Sequence, residues 1–296
     1  MRVAALLGLL ALQAVAAIAP VREVDSEAVL LANQPLPGFY DGYTFFVESH
    51  NRIKLYSPGG QLVFDTYLRP ETIPHVMSIA VDSAGRVAVS YLSRGSGAID
   101  LLDSSGNSLG SIQTGNYLPS HIAFGDDQSI WTFGLYVQGN PGNPKNYMAV
   151  RHYSPNGSQT GSFLPRSLFP AGLEPACFGW QEQGIYVASD RIGLLACSGM
   201  SSVNPEWVEL DMNGNLIGRW QVGTLHKRVA LTYDGHVYAQ DSANGSRQIF
   251  VLERASSGFQ PVAWTIPGWL CGAAGDELLF SDWNNGPMHF RWYKQP

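Results

Sequence analysis

Ser78-Ile79-Ala80-Val81-Asp82-Ser83-Ala84-Gly85-Arg86-Val87-Ala88-Val89 reads as a strand, a tight turn and a second strand. Apolar and small residues run up to Val81, Asp82 to Gly85 are turn formers with a glycine available for positive φ, and Val87 resumes the strand. The same pattern recurs along the chain. His121-Ile122-Ala123-Phe124 leads to Ile130-Trp131, and Cys177-Phe178-Gly179-Trp180 leads to Gly184-Ile185-Tyr186-Val187. Val229-Ala230-Leu231 leads to Asp234-Gly235-His236-Val237-Tyr238, Gly272-Ala273-Ala274 leads to Leu278-Leu279-Phe280, and Tyr40-Asp41-Gly42-Tyr43 begins the series. The turns fall at positions 42, 85, 128, 184, 235 and 275, a repeat of roughly 40–55 residues.

A second hairpin alternates with the first. Its turns are Ser57-Pro58-Gly59-Gly60-Gln61, Asp103-Ser104-Ser105-Gly106-Asn107, Ser154-Pro155-Asn156-Gly157-Ser158 and Asp211-Met212-Asn213-Gly214-Asn215, with a degenerate copy between Val251 and Trp264. Two hairpins per repeat make a four-stranded antiparallel unit, and radial repetition of such units makes a β-propeller. The first strand of a repeat carries a small residue (Ala80, Ala123, Gly179, Ala230 or Ala274), as strands crowded around a central axis require. The last repeat ends at His289-Phe290-Arg291-Trp292-Tyr293 with no fourth strand, and Ala28-Val29-Leu30-Leu31 is expected to supply it. The expected fold is all-β: a six-bladed β-propeller of four-stranded antiparallel blades, closed by the N-terminal strand, in a single domain over 17–296.

Composition agrees with that reading. The 296 residues are 45% hydrophobic and 14% charged, enough to bury a sizeable core, which excludes disorder along most of the length. Gly and Pro at 32 and 18, with 13 Tyr, 13 Phe and 8 Trp, argue against a helical bundle. A net charge of −6 gives no electrostatic reason to bind nucleic acid or anionic membranes. At the N-terminus, Met1-Arg2 precedes an apolar run from Val3 to Ile18, and Ala14-Val15-Ala16 has the small residues that signal peptidase requires. The expected signal peptide is 1–16, because Pro20 disfavours a cut after Ala19, and the expected destination is secreted or periplasmic. No other run is long enough to span a bilayer. Cys177 and Cys197 flank an apparent hairpin and could pair, which leaves Cys271.

After the second strand of several repeats an acid precedes an Asn by three positions: Glu48-Ser49-His50-Asn51, Asp241-Ser242-Ala243-Asn244 and Asp282-Trp283-Asn284-Asn285. Together with the segment Pro74 to Gly85, this resembles the NHL-type six-bladed propellers. Asp190-Arg191-Ile192 keeps the acid and loses the Asn. The resemblance implies a binding platform, with some lyases and lactonases among the relatives. Calcium lactonases of this fold use a central carboxylate and amide set, for which the inner strands show no matching Glu.

Other motifs carry less chemistry. Gly106-Asn107-Ser108-Leu109-Gly110 matches Gly-x-Ser-x-Gly, but a hydrolase elbow needs a helix next, and Ser111-Ile112-Gln113-Thr114 continues a strand. The seven histidines show no metal-ligand spacing. His121 shares a repeat column with Ser78, Cys177 and Arg228, beside His75, a set that could ring the channel mouth. The acids Glu48, Asp190, Asp241 and Asp282 are expected between second and third strands, on the face where the inner strands begin, with Trp180 and Trp283 as aromatic surface. The long segment from Tyr136 to Tyr147 is expected to be a loop overhanging one face. Candidate ligand-binding residues are therefore His121, Arg228, Asp190, Asp241, Asp282 and Trp283, with no catalytic set, no identified cofactor, and metal binding left open. The expected function is a monomeric, non-enzymatic binding or scaffold module for a protein, peptide or glycan. The alternative is a metal-dependent lyase or lactone hydrolase working at the channel mouth. Mass spectrometry of the exported protein should find Ala17 at the N-terminus; a soluble exported form still carrying Met1 to Ala16 would refute the cleavage site.

Overall fold

In the computed structural model the turn at Asp82 shows why the repeat holds its shape. Oδ1 of Asp82 accepts hydrogen bonds from the Ala84 and Arg86 amides at 2.9 and 2.8 Å, and Gly85 takes φ 78°. The side chain thus replaces a backbone turn partner, and the glycine supplies the left-handed step. The outer hairpins reuse the device. Asp103 caps Ser105 and Asn107, and Asp211 caps Asn213 and Asn215.

The structure describes residues 16–30, 37–48, 51–68, 75–136, 146–169, 183–196, 205–222, 228–241, 247–256, 258–282 and 286–295. They form six four-stranded antiparallel sheets. Blade 1 is Gly38–Tyr40, Tyr43–Glu48, Arg52–Tyr56 and Leu62–Tyr67. Blade 2 is His75–Val81, Val87–Ser93, Ser96–Leu102 and Ser108–Gly115, and blade 3 is Tyr117–Phe124, Ile130–Tyr136, Met148–Tyr153 and Gln159–Pro165. Blade 4 is Ile185–Val187, Arg191–Ala196, Glu206–Asp211 and Leu216–Gln221. Blade 5 is Val229–Leu231, Val237–Gln240, Ile249–Glu253 and Gly258–Pro261. Blade 6 takes Trp269–Ala274, Glu277–Ser281 and Gly286–Lys294 from the C-terminus, and its fourth strand is Arg22–Leu30. A six-bladed all-β propeller is what the repeats require.

The closing strand runs antiparallel to Gly286–Lys294, with Val24 opposite Phe290 and Arg22 opposite Trp292. Arg22 lies 4.0 Å over the Trp292 ring, and the His289 ring nitrogens reach Asp25 and Glu23 at 2.7 and 3.1 Å. Ala28 and Leu30 join Met288, Phe290 and Trp292 in one buried cluster with Phe39 and Phe46 of blade 1, so ring closure is also core formation. A two-residue strand, Ala16–Ala17, lies parallel to Trp264–Thr265, and the cut expected after Ala16 would pass through it. Among the described residues no helix is long and apolar enough to cross a membrane.

Blade 4 corrects the sequence reading. Its innermost strand is Ile185–Val187, so the inner turn lies at Ala188 to Asp190 rather than at position 184. Gly184-Ile185-Tyr186-Val187 looked like a second strand because a glycine precedes an alternating run, yet it pairs forward with Arg191–Ala196. Cys177 to Trp180 and Cys197 lie outside the described residues. Gly193 in the second strand leaves room for Trp207; a Cβ there would stand 2.2 Å from the indole.

Blades 4 and 5 are tied by a buried charge. Glu209, with no solvent exposure, accepts two hydrogen bonds from Arg254 at 2.6 and 2.8 Å, one from Arg191 at 3.2 Å and one from the Trp207 indole at 3.0 Å. Arg254 also donates to the Gly235 carbonyl at 2.6 Å, in the inner turn of blade 5. Removing one side of such a set strands the other. Because both arginines keep some exposure, Glu209→Ala should cost about 2–3 kcal/mol, below the range for a fully buried pair. An unchanged urea midpoint would show that the network adds nothing to blade cohesion.

Candidate functional site

In each blade the turn after the first strand lies at one end of the central axis, and the link from second to third strand lies at the other. At the first-turn end a cavity of about 140 Å³ opens on the axis, walled by residues from all six blades. Tyr40 and Asp41 come from blade 1, Asp82 from blade 2, Asp126 from blade 3, Tyr186 from blade 4, Tyr233 from blade 5 and Gly275 from blade 6.

Tyrosines bind this end together. The Tyr40 hydroxyl in blade 1 accepts from the Phe124 amide in blade 3 at 2.9 Å, reaching past blade 2. The Tyr233 hydroxyl donates to Asp126 in blade 3 at 2.8 Å, while the Tyr186 hydroxyl ties blades 4 and 5 further along the axis, 2.7 Å from the Val229 carbonyl where the inner strand of blade 5 starts. Burial raises the pKa of Tyr40, while the Asp126 hydrogen bond raises that of Tyr233. Both phenols therefore stay protonated at neutral pH.

The carboxylates differ in their commitments. Asp82 is spent on its own turn and on the Arg86 guanidinium at 2.7 Å. Asp41, at φ 44°, is exposed at the mouth of the cavity; the partial desolvation of its carboxylate by the cavity walls, then the charge of Asp126, hold its pKa above the ordinary carboxylate value. Asp234, in the inner turn of blade 5, shows the reverse. Desolvation pushes its pKa up, but hydrogen bonds from Thr232, His236 and Gln295 together outweigh this and bring it to about 2.

The residues singled out from sequence lie elsewhere. His121 is fully buried, its ring laid against Gly184 at the edge of blade 4. Ser78 accepts from the Ile122 amide of blade 3 at 3.3 Å, and Arg228 donates to the Leu270 carbonyl of blade 6 at 3.1 Å. Ser78, His121 and Arg228 thus each reach to the following blade, and Cys177, the remaining member of that column, lies outside the described residues. Glu48 ends its second strand and Asp241 and Asp282 follow theirs, but Asp190 does not. It sits in the inner turn of blade 4, at the opposite end, where Arg191 lowers its pKa. Arg228 and Asp282 share a cluster, since Arg228 and Arg247 lie 5.7 and 5.3 Å over Trp269 and Asp282 meets Arg247 and Arg291 at 3.8 and 2.6 Å. Trp283 and the segment 137–145 lie outside the described residues. The Cys271 thiol donates to the Trp269 carbonyl at 3.3 Å. Ser108 opens the outermost strand of blade 2, which removes the hydrolase-elbow reading. Among the described residues no group of three His, Cys, Asp or Glu could hold a metal ion.

No family model matches the chain, and no curated protein matches it. Solved propellers do. A Bacteroides fragilis protein named as a candidate exported protein superposes with TM-score 0.55 at 8% identity, over 93% of this chain and 95% of its own. Streptogramin B lyase gives 0.53 at 16% identity, over 93% and 88%. Luciferin-regenerating enzyme gives 0.52 at 12%, over 92% and 94%. The likeness is one of fold.

Asp41 and Asp234 should have opposite effects on stability. Asp41 holds its proton more tightly folded than unfolded, so the fold loses stability as pH rises through that titration; Asp234 contributes above the ordinary carboxylate pKa and loses its contribution as pH falls towards 2. Asp41→Asn should therefore raise the melting temperature near neutral pH and leave it unchanged in acid. Asp234→Asn should lower it near neutral pH, the gap closing in acid. Parallel pH–Tm profiles for the two variants would contradict both assignments.

Proposed function

We propose that the chain is an exported, non-enzymatic binding module, built as a divergent NHL-type propeller, that receives part of a protein, peptide or glycan in the axial cavity at the first-turn end. The observation that carries this reading is the engagement of the cavity wall. Tyr40, Tyr186, Tyr233, Asp82 and Asp126 all spend polar groups on holding turns or blades in place. Groups fixed in this way make a rigid, pre-organised surface, which favours recognition over proton transfer. The arginine after the start methionine and the apolar run behind it support export. In this reading the opposite end, with Arg228 and Asp282, is assigned no ligand.

Ser83→Trp would test it, since Ser83 is exposed on the cavity rim and an indole there closes the opening. Ligands selected from peptide and glycan arrays should lose at least about tenfold in affinity, or 1.4 kcal/mol, with the melting temperature unchanged. Metal-dependent turnover of lactones or cyclic depsipeptides by the purified protein, abolished by the same substitution, would overturn the non-enzymatic reading.

A further inference from the structure

The axial cavity continues past its own rim. Phe124 and Gln128 line it and also line a narrow cleft between blades 2 and 3, whose other walls include Leu101, Leu109, Ile130 and Pro155. Leu109 is 55% exposed there, near the start of the outermost strand of blade 2. A polar hole and an apolar cleft therefore adjoin, with Phe124 and Gln128 common to both.

The two parts favour different chemistry. Of the carboxylates around the hole, Asp82 is neutralised by Arg86. Asp41 has no hydrogen-bond or ion-pair partner among the described residues, and Asp126 accepts a single hydrogen bond, from Tyr233. Like charges facing one small volume repel, and the raised pKa of Asp41 reflects that in part. A cation between them relieves the repulsion. At the cleft, the Arg86 guanidinium is already held by Asp82 and lies 5.7 Å over the Phe124 ring, leaving the exposed Leu109 to meet an apolar group.

Size narrows the choice. About 140 Å³ is close to the roughly 150 Å³ of an engineered cavity that holds one benzene, so about half a dozen heavy atoms enter. The end of a lysine or arginine side chain has that size, and a pyranose with its hydroxyls is about twice as large. The geometry points to a peptide segment of a partner protein as the occupant, with a lysine or arginine side chain between Asp41 and Asp126 and a neighbouring aliphatic side chain against Leu109. The cleft itself holds only about 10 Å³, so the aliphatic side chain packs over the exposed Leu109 at its mouth and does not enter it. This rests on the cavity being the binding site, and it adds the class of ligand.

The test is a random-peptide library panned against the full mature protein, followed by fluorescence anisotropy on the selected peptides. Enriched sequences should share a Lys or Arg next to Leu, Ile or Val. Replacing that Lys by norleucine should weaken binding at least about tenfold, the scale of one charge-assisted hydrogen bond. Asp41→Asn should weaken the lysine peptide several-fold and leave the norleucine peptide unaffected. Asparagine tolerates the positive φ at position 41, so this variant keeps the turn. Leu109→Asp, on an exposed side chain, should weaken only peptides that carry the aliphatic residue, which keeps the test decisive if Asp41→Asn fails to fold. Enriched peptides with no basic residue, or affinity unchanged in Asp41→Asn, would overturn the cation while Ser83→Trp still blocked binding. Selection of a glycan and no peptide would overturn the peptide occupant. Failure of every probe class to bind would overturn the binding module itself.

Discussion

A small antiparallel sheet with apolar side chains on both faces cannot shield them alone, and here every blade has that problem. Wrapping the sheets around an axis gives each face a neighbour, but only if the ring has no open edge. Arg22–Leu30 meets this constraint by completing the blade that the C-terminus leaves one strand short. Through it Phe290, Trp292 and Met288 become fully buried beside residues of blade 1. Burying each such side chain is worth about 1.5–3 kcal/mol relative to exposure, so the closing contacts rival the whole margin of a typical domain, about 5–15 kcal/mol.

Closure also creates the candidate site. Once six first strands converge, their ends and turns must share one small opening, and whatever those turns carry becomes mutual surroundings. Asp41 and Asp126 lie far apart in the chain, yet the charge of Asp126 bears on the ionisation of Asp41 because blades 1 and 3 both reach the axis. Tyr40 and Tyr233 span the same end, each bonding to blade 3. The bonds that steady the ring therefore also set the polarity of the cavity.

Much of the fold was legible because turn chemistry is local. Asp82 with Gly85, Asp103 with Gly106 and Asp211 with Gly214 each write the turn into five consecutive residues, and no distant contact is needed to read them. Blade 4 was misread where such a turn is missing: Ala188-Ser189-Asp190 has no glycine, so Gly184 drew the mark one strand too early. That slip carried Asp190 to the wrong end of the axis. Asp41, Asp126 and Tyr233 were passed over, although an aspartate in or beside the inner turn of every blade (Asp41, Asp82, Asp126, Asp190, Asp234 and Asp276) was a visible signal.

By itself, the sequence determined the strand-and-turn rhythm, the number of blades and the need for an N-terminal strand to complete the last one, since these follow from residue types within a few positions of one another. Only the tertiary structure decided which turns face a common opening, that the column of Ser78, His121 and Arg228 reaches to neighbouring blades, and which carboxylates lack a cation. Those outcomes depend on distances across the ring, and a chain acquires such distances only when its two ends are joined in one sheet.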